Sequence, residues 1–488
     1  MSSLKEQGSK AFLWDFSGRI ASQATGFVIS IFLARLLEPA EFGLIAMVMV
    51  IMGIAGIFSD VGLGGALVQR KRVLPIHYSS VFYFNVLVAS ILSLLTYLAA
   101  PLIANFYNNQ ELILLTQVLS ILFILGSVNS VHVVQFRKEL NIKILTQISF
   151  TSSLLSGVIG VFLAFQGNGV WSLVAQQLIA SVLNVILIWK ASTWRPGLAF
   201  SLKALFQLWG FGFRMFLSNL LDTVFTRLDF IIIGKMFPAA TLGFFQRAKA
   251  LDQLVITYTS GSLMGVLFPL LSKVKNDLLR FQNIIIKSLG IICFVTFFLL
   301  GGLFLVSEEL IVMLFTEKWL PSVELFQILV LSGFAYPVSS LLVNVLSSRG
   351  NSKVFLRLEI YKKTIFGLNL AIGFIWGING YLYGLVMASA IAVWINIIFV
   401  EKEINISRFT LVKPILVQMS ISIAVTVFVW YINSGTDYSH IIHFILKGVE
   451  FSILYIVLNY FFNTGSYRNF MEQFTPLLNK YLKRMSYD

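Results

Sequence analysis

RLDFIIIGKMFPAATLGFFQRAKA, residues 227–250, opens on an arginine and an aspartate and turns into membrane-grade apolar sequence. It breaks at Pro238 and closes on Arg247 and Lys249. The rest of the chain is of the same kind. Of its 488 residues 57% are hydrophobic and 12% charged, and the mean hydropathy is +0.85. A soluble domain is about half apolar and about a quarter charged. Apolar runs of roughly 20 residues, enough for a helix to cross the hydrocarbon, recur from end to end. The strands of a membrane barrel are half that length and alternate in hydrophobicity, so a β-barrel is excluded. An all-α polytopic membrane protein is expected, and the charges at 227–250 need a reason.

Working outward, fourteen helical segments are expected, near 12–36, 42–69, 78–104, 111–136, 143–165, 169–190, 207–236, 241–271, 282–306, 321–347, 354–376, 379–400, 411–432 and 441–462. Segment one holds Asp15 and Arg19 and has no small-residue cleavage site, so it reads as a span and not a signal peptide. Basic residues follow the even-numbered segments: Arg70, Lys71 and Arg72, then Arg137 and Lys138, Lys190 and Arg195, Lys273, Arg349, Lys402 and Arg408. The opposite loops, such as NFYNNQE, QGNG and GING, are nearly free of base, and SEELIVMLFTEKWLP is acidic. Lys and Arg collect in cytoplasmic loops. Both termini are therefore expected in the cytoplasm, and the net charge of +14 comes from this asymmetry and implies no nucleic acid.

Loops this short hold no soluble domain. The chain contains no phosphate-binding glycine loop, no H-E-x-x-H and no nucleophile elbow, so no catalytic residue is expected. Cys293 is the one cysteine, which excludes an intrachain disulfide. Of His77, His132, His440 and His443 only the last two have helical spacing, and no third ligand stands near them, so no metal site is expected.

LARLLEPAEFG (33–43) and IIGKMFPAATLG (232–243) share a pattern: an apolar run, a base (Arg35, Lys235), Pro-Ala, and a short turn to Gly43 or Gly243. The prolines, Pro39 and Pro238, are 199 residues apart, with six helices between the copies. Parallel repeats of this kind describe two lobes with a substrate path between them. The expected division is 1–191 (six helices), a linker at 192–206, a second six-helix lobe at 207–401, helices thirteen and fourteen at 402–463, and a tail at 464–488.

Charges within the spans fall in stripes. At about 100° per residue, Asp15, Arg19, Ser22, Gly26 and Ser30 share a face, with Gln23 beside them. Such a stripe faces a bundle interior or a wet cavity. For Asp15 and Arg19 a self-contained i, i+4 pair is an equal reading. Arg214, Ser218, Asp222, Phe225 and Asp229 share one side of the seventh helix, while Arg227 points elsewhere. The eighth adds Arg247, Lys249 and Asp252, and Lys249 and Asp252 are close enough to pair. In the second, Gly53, Gly56, Asp60 and Gly64 form a small-residue face. Asp60 reads as a cap or loop partner before an ion site. For Lys287, Lys362 and Lys363 snorkelling to the inner surface is the competing reading, and it is the favoured one for Lys287. Lys362 and Lys363 lie within reach of Glu359, and Lys447 is expected to pair with Glu450. Counting Arg19, Arg214, Arg227, Arg247, Lys249, Lys287, Lys362 and Lys363 against Asp15, Asp60, Asp222, Asp229, Asp252 and Glu359, base exceeds acid. A pyrophosphate would meet Arg forks and Lys point charges there. The candidate substrate-binding set is Arg19, Arg214, Arg247, Lys249, Lys362 and Lys363. The structural or coupling set is Asp15, Asp60, Asp222, Arg227, Asp229 and Asp252. Trp14, Trp209 and Phe211 are candidates to stack on sugar rings, or interface anchors.

LARLLEPAEFGLIAMVMV, IFSDVGLGGALVQRK (57–71) and RLDFIIIGKMFPAATLGFFQRAKAL together resemble the polysaccharide-transporter branch of the multidrug/oligosaccharidyl-lipid/polysaccharide (MOP) exporter superfamily. The resemblance is to Wzx-type flippases of the colanic-acid and teichuronic-acid exporter subgroup. It is carried by Arg227, Asp229, Gly234, Leu242, Gly243, Phe244 and Ala248. It implies two six-helix bundles of the MOP/MATE type related by a pseudo-two-fold, two further C-terminal helices, and rocking between inward- and outward-open states in the bacterial cytoplasmic membrane. It implies flipping of an undecaprenyl-pyrophosphate-linked oligosaccharide for exopolysaccharide or lipopolysaccharide, with no cofactor, proton or sodium coupling left open, and polymerase and chain-length proteins as partners. The alternatives are a cation-coupled multidrug exporter, which should have an acid-dominated chamber, and a membrane polymerase or ligase, which should have a long outer loop bearing Arg or His.

Overall fold

The computed structural model describes residues 4–274, 276–349, 352–436 and 438–485. Side chains at 4–13, 15, 16, 19, 255–266, 268, 269, 272, 352, 353, 356, 374 and 477–485 lie outside the described set. Among the described residues there is no strand. The α-helices are Leu4–Leu36 (α1), Pro39–Gly56 (α2), Leu63–Gln69 (α3), Pro75–Tyr107 (α4), Leu112–Leu119 (α5), Leu122–Lys138 (α6), Ile142–Phe165 (α7), Val170–Ala191 (α8) and Leu202–Met236 (α9). They continue as Ala239–Val274 (α10), Leu278–Leu305 (α11), Ser307–Phe315 (α12), Pro321–Ser332 (α13), Ala335–Ser348 (α14), Ser352–Ile404 (α15), Arg408–Asn433 (α16), His440–Phe461 (α17) and Gly465–Met485 (α18). Each of the fourteen expected segments falls on one of these, on two in succession, or on one half of α15. That helix is broken at Gly377, whose φ of 74° no helix accommodates. Ten described helical segments are long and apolar enough to cross a membrane; α9 is not among them, because its charges interrupt the apolar run.

Helix starts follow local chemistry. Pro39, Pro75 and Pro321 each occupy a first turn, where the missing N–H has no partner to lose. Ser201 and Asp277 accept from Ala204 N and Arg280 N to cap α9 and α11. Packing is that of a membrane protein. On α4 the buried face is Val81, Asn85, Ala89, Ser93, Ala100 and Ala104, and the exposed face is Leu87, Leu94, Leu98 and Leu102. Small and polar residues let helices approach, while leucine faces lipid at no cost.

The second expected segment is not one helix. A 3₁₀ turn, Ile57–Ser59, follows α2, and Val61 (φ 44°) and Gly62 (φ 73°) then turn the chain before α3. The small-residue face from Gly53 to Gly64 is therefore not continuous. The cause is a backbone crossing with α9: a Cβ on Gly62 would stand 2.2 Å from the Gly212 carbonyl oxygen. Asp60 holds the break. Its carboxylate accepts from Gly64 N at 3.0 Å, in the first turn of α3, and from Asn85 Nδ2 at 3.1 Å. It acts as a cap. Two helices were not anticipated: α12, in the acidic loop, and α18, in the tail.

The chain divides into two compact units, Met1–Gly243 and Phe244–Asp488. In the first, α1 packs chiefly on α7, α7 on α8, and α9 on α2, α3 and α4, around Leu63, Leu67, Val81, Val131, Leu205 and Leu208. In the second, α11 is central. One side meets α14, α15 and α16, and the other meets α16, α17 and α18 through Phe294, Val425, Val429, Phe451 and Tyr455. A buried polar cluster pins this second side. Tyr455 Oη donates to Gln418 Oε1 at 2.6 Å, and Gln418 Nε2 and Thr464 Oγ1 each donate to Asn459 Oδ1 at 2.7 Å.

One expected pairing changes, and Lys287, expected to snorkel, is half-exposed with a partner on α18. Lys447 does not pair with Glu450. It reaches Glu309 on α12, a buried carboxylate that would otherwise lack a counter-charge, while Glu450 accepts from Asn433 Nδ2 at 2.7 Å. Lys287 pairs with Glu472 of α18 at 3.1 Å, with both side chains about half exposed, a contact worth little. Glu309→Ala, by stranding Lys447, lowers stability by about 3 kcal/mol, read as thermal unfolding in detergent. The double variant with Lys447→Met restores most of the loss, and equal melting of single variant and parent would refute the pairing.

Candidate functional site

The repeated motif forms two matching bends. α1 ends at Leu36 and α2 begins at Pro39; α9 ends at Met236 and α10 begins at Ala239. Leu37 N donates to Leu33 O at 2.8 Å, and Phe237 N donates to Ile233 O at 3.0 Å. The register between the copies is thus 200, as Gly43 and Gly243 show, and not the 199 of the prolines. Pro39 is the first residue of its helix, whereas Pro238 stands one place before Ala239 opens its own. Where copy two has that proline, copy one has Glu38, whose N–H donates to Glu41 Oε2 at 2.7 Å.

The copies touch each other reciprocally. A Cβ on Gly43 would lie 1.7 Å from the Ala239 carbonyl oxygen, and one on Gly243 would lie 1.9 Å from the Pro39 carbonyl oxygen. The first turns of α2 and α10 therefore cross backbone to backbone, and only glycine fits at either position. Beside the crossing, Lys235 Nζ donates to the Phe106 carbonyl and lies 5.1 Å from the Phe106 ring centroid.

Along α9, Arg214, Ser218, Asp222 and Phe225 are exposed together, as the stripe requires. Asp229 leaves it: the residue is buried, and its Oδ1 accepts from Phe230 N at 2.9 Å. Arg227 is exposed on another side, against α2, where a Cβ on Gly53 would be 3.9 Å from its Nε. Arg214, Asp222 and Arg227 have no side-chain partner among the described residues. The aromatics of this helix are engaged: Trp209 stacks on Phe213 at 5.9 Å and meets Phe84 edge-on, and Phe211 packs on the apolar core. Trp14 carries Lys143 over its ring at 5.0 Å.

The remaining candidates spread over several environments. Arg247 is buried on α10, with its guanidinium 5.9 Å from the Phe315 ring and 5.8 Å from the Trp319 ring. It ties α10 to the segment after α11 by cation–π contact. Lys249 is half-buried, 5.7 Å from the Phe245 ring centroid. Asp252 is buried, and its Oδ1 has no hydrogen-bond partner among the described residues. Lys362 pairs with Glu359 at 2.5 Å, as expected, and Lys363 is half-buried beside it. Asp15 and Arg19 lie outside the described side chains; of their stripe, Ser22, Gly26 and Ser30 are half-buried and Gln23 is exposed. Sequence reasoning missed the Asn85 ligand of Asp60 and the Gln418–Tyr455–Asn459 cluster. Lone amides in apolar runs were the available signal.

The family described as polysaccharide biosynthesis protein matches residues 32–324, more than half of the chain. The chain is 26% identical over 318 residues to the teichuronic acid biosynthesis protein TuaB of Bacillus subtilis (strain 168), covering 65% of this chain and 66% of that protein. It is 24% identical over 426 residues to the lipopolysaccharide biosynthesis protein WzxC of Escherichia coli (strain K12), covering 85% and 82%. Among solved structures it resembles the lipid II flippase MurJ in an inward closed conformation, with a TM-score of 0.71 at 16% identity over 93% of this chain and all of that one. An inward-facing multidrug resistance MATE transporter of the MOP superfamily matches with a TM-score of 0.60 at 15% identity over 78% of this chain and 94% of that one. The fold is that of a MOP-type polytopic membrane protein.

The crossing carries a direct test. Spin labels at the exposed positions 38 and 238 are measured with the buried Cys293 replaced. Gly43→Val and Gly243→Val each lengthen the label distance, because Cβ and carbonyl cannot share the space. An unchanged distance in both variants contradicts the crossing.

Proposed function

The chain belongs to the polysaccharide biosynthesis protein family, and on that premise we propose that it is a flippase, moving an undecaprenyl-pyrophosphate-linked oligosaccharide from the inner to the outer leaflet of the bacterial cytoplasmic membrane. The observation that carries this reading is Arg214, a guanidinium on α9 that is exposed on a stripe with Ser218 and Asp222 and has no acid to neutralise it among the described residues. On a helix packed among membrane spans, such a charge stands in water or meets a ligand. A guanidinium matches a pyrophosphate as a fork matches two oxygens. The names of the relatives, teichuronic acid and lipopolysaccharide biosynthesis, agree with such a cargo.

Flipping makes and breaks no bond, so the residues act by shielding and by alternating access. The basic loops are assigned to the cytoplasm with both termini, which puts the bends at 37–38 and 237–238 on the outer side. In this reading 1–191 and 207–401 are the two lobes, with matched bends in support. The Gly43–Gly243 crossing is the outer closure, which must part for release. Lys249 and Lys363 are assigned further positive charge, with Arg19 on the first helix and Arg247 as a brace, while the charge of Lys362 is taken up by Glu359. Asp252, buried with an unpartnered oxygen, is the carboxylate best suited to proton or sodium coupling. Asp15, Asp60, Asp222, Arg227 and Asp229 hold structure or balance charge. A polymerase and chain-length proteins would take the cargo on. A multidrug exporter would need a chamber dominated by acid, and an enzyme a reactive constellation.

Arg214→Ala abolishes surface-polysaccharide export in a deletion host and leaves membrane insertion normal, whereas Arg214→Lys, a charge without the fork, keeps part of it. The readout is accumulation of lipid-linked repeat units on the inner leaflet. Full export by Arg214→Ala would remove the basis of the reading.

A further inference from the structure

Away from the candidate path, a cavity of about 920 Å³ opens at the corner where α16 begins and α17 gives way to α18. α11 forms one wall, α16 a second, and residues 462–469 the third. Its lining separates by chemistry. Lys413 and Arg468 contribute two cations, and among the described residues no aspartate or glutamate lines the cavity. Both cations are exposed and have no ion-pair partner among the described residues. The nearest acid of α18, Glu472, is already engaged by Lys287. The rest of the wall is mainly apolar, with Ile286, Val417 and Ile421 inside and Phe409 and Phe462 exposed at the ends of the two spans.

Two cations without an ion-pair partner among the described residues, lining one cavity with apolar side chains and two exposed phenylalanines, are complementary to one class of molecule. Its head carries a phosphate negative charge, and its tail is hydrocarbon. Basic pockets between membrane helices take such lipids. The buried Gln418–Tyr455–Asn459 cluster adjoins the cavity through Thr464, which lines it, so an occupant would bear on the contact between α11, α16 and α17. We infer that this cavity binds an anionic glycerophospholipid, its phosphate held by Lys413 and Arg468 and an acyl chain lying along Ile286, Val417 and Ile421. The inference does not depend on the transport reading. The cargo's own pyrophosphate and free phosphate share the ligand chemistry, so the test separates the three.

The full chain, purified in detergent, is examined by native mass spectrometry with dioleoyl phosphatidylglycerol or dioleoyl phosphatidylcholine. One to one retention of phosphatidylglycerol over phosphatidylcholine is expected. Lys413→Gln with Arg468→Gln lowers that preference about tenfold, while Arg468→Lys keeps most of it. Melting of the double variant in phosphatidylcholine matches the parent, which separates lost binding from misfolding. Equal retention of the two lipids, or an unchanged preference in the double variant, overturns the site. Displacement of phosphatidylglycerol by millimolar inorganic pyrophosphate, or by an equimolar polyprenyl phosphate, also overturns it, in favour of a free anion or of the cargo.

Discussion

An ionised side chain in a bilayer is stable only where another group or water replaces the solvent it has lost. That requirement sorts the charges of this chain. Glu309 and Lys447 meet across two helices, and Lys362 takes Glu359 one turn away. Arg247 is buried against two aromatic rings, and Asp60 spends its carboxylate on a helix start and an amide. Once these are satisfied internally, Arg214 and Asp222 on α9 stand out, because no described side chain pairs with either. A helix that is polar on one side and exposed there is poorly suited to lipid and well suited to a wet path.

The second constraint is steric. Where two helical hairpins with the same bend meet tip to tip, their first turns can close only if side chains are absent. Gly43 and Gly243 meet that need symmetrically, and Gly62 with Gly212 does the same between α3 and α9. Contacts of this type are made by backbone.

Much of this was legible in the order of residues. Apolar runs marked the spans because a helix must satisfy its own backbone in lipid, and the Pro-Ala-to-Gly pattern marked both bends. The Arg214 stripe and the Lys362–Glu359 pair followed from helical periodicity. Other features were hidden. Lys447 had an acid three residues on and chose one 138 residues away, since spacing along a helix says nothing about a buried carboxylate on another. Asp229 shares the side of Arg214 on a helical wheel yet is buried, because α9 meets different neighbours along its length. The proline register misled by one residue, as proline serves equally well just before a helix and at its first position.

By itself, the sequence determined that the chain crosses a membrane many times as helices, where it bends, and which faces carry charge. These are matters of hydropathy and of a 3.6-residue period, both local. Which charges are neutralised, which glycines touch and where the second segment breaks were decided only by the tertiary structure. Each depends on a partner distant in the chain, and only packing brings those partners within ångströms of one another.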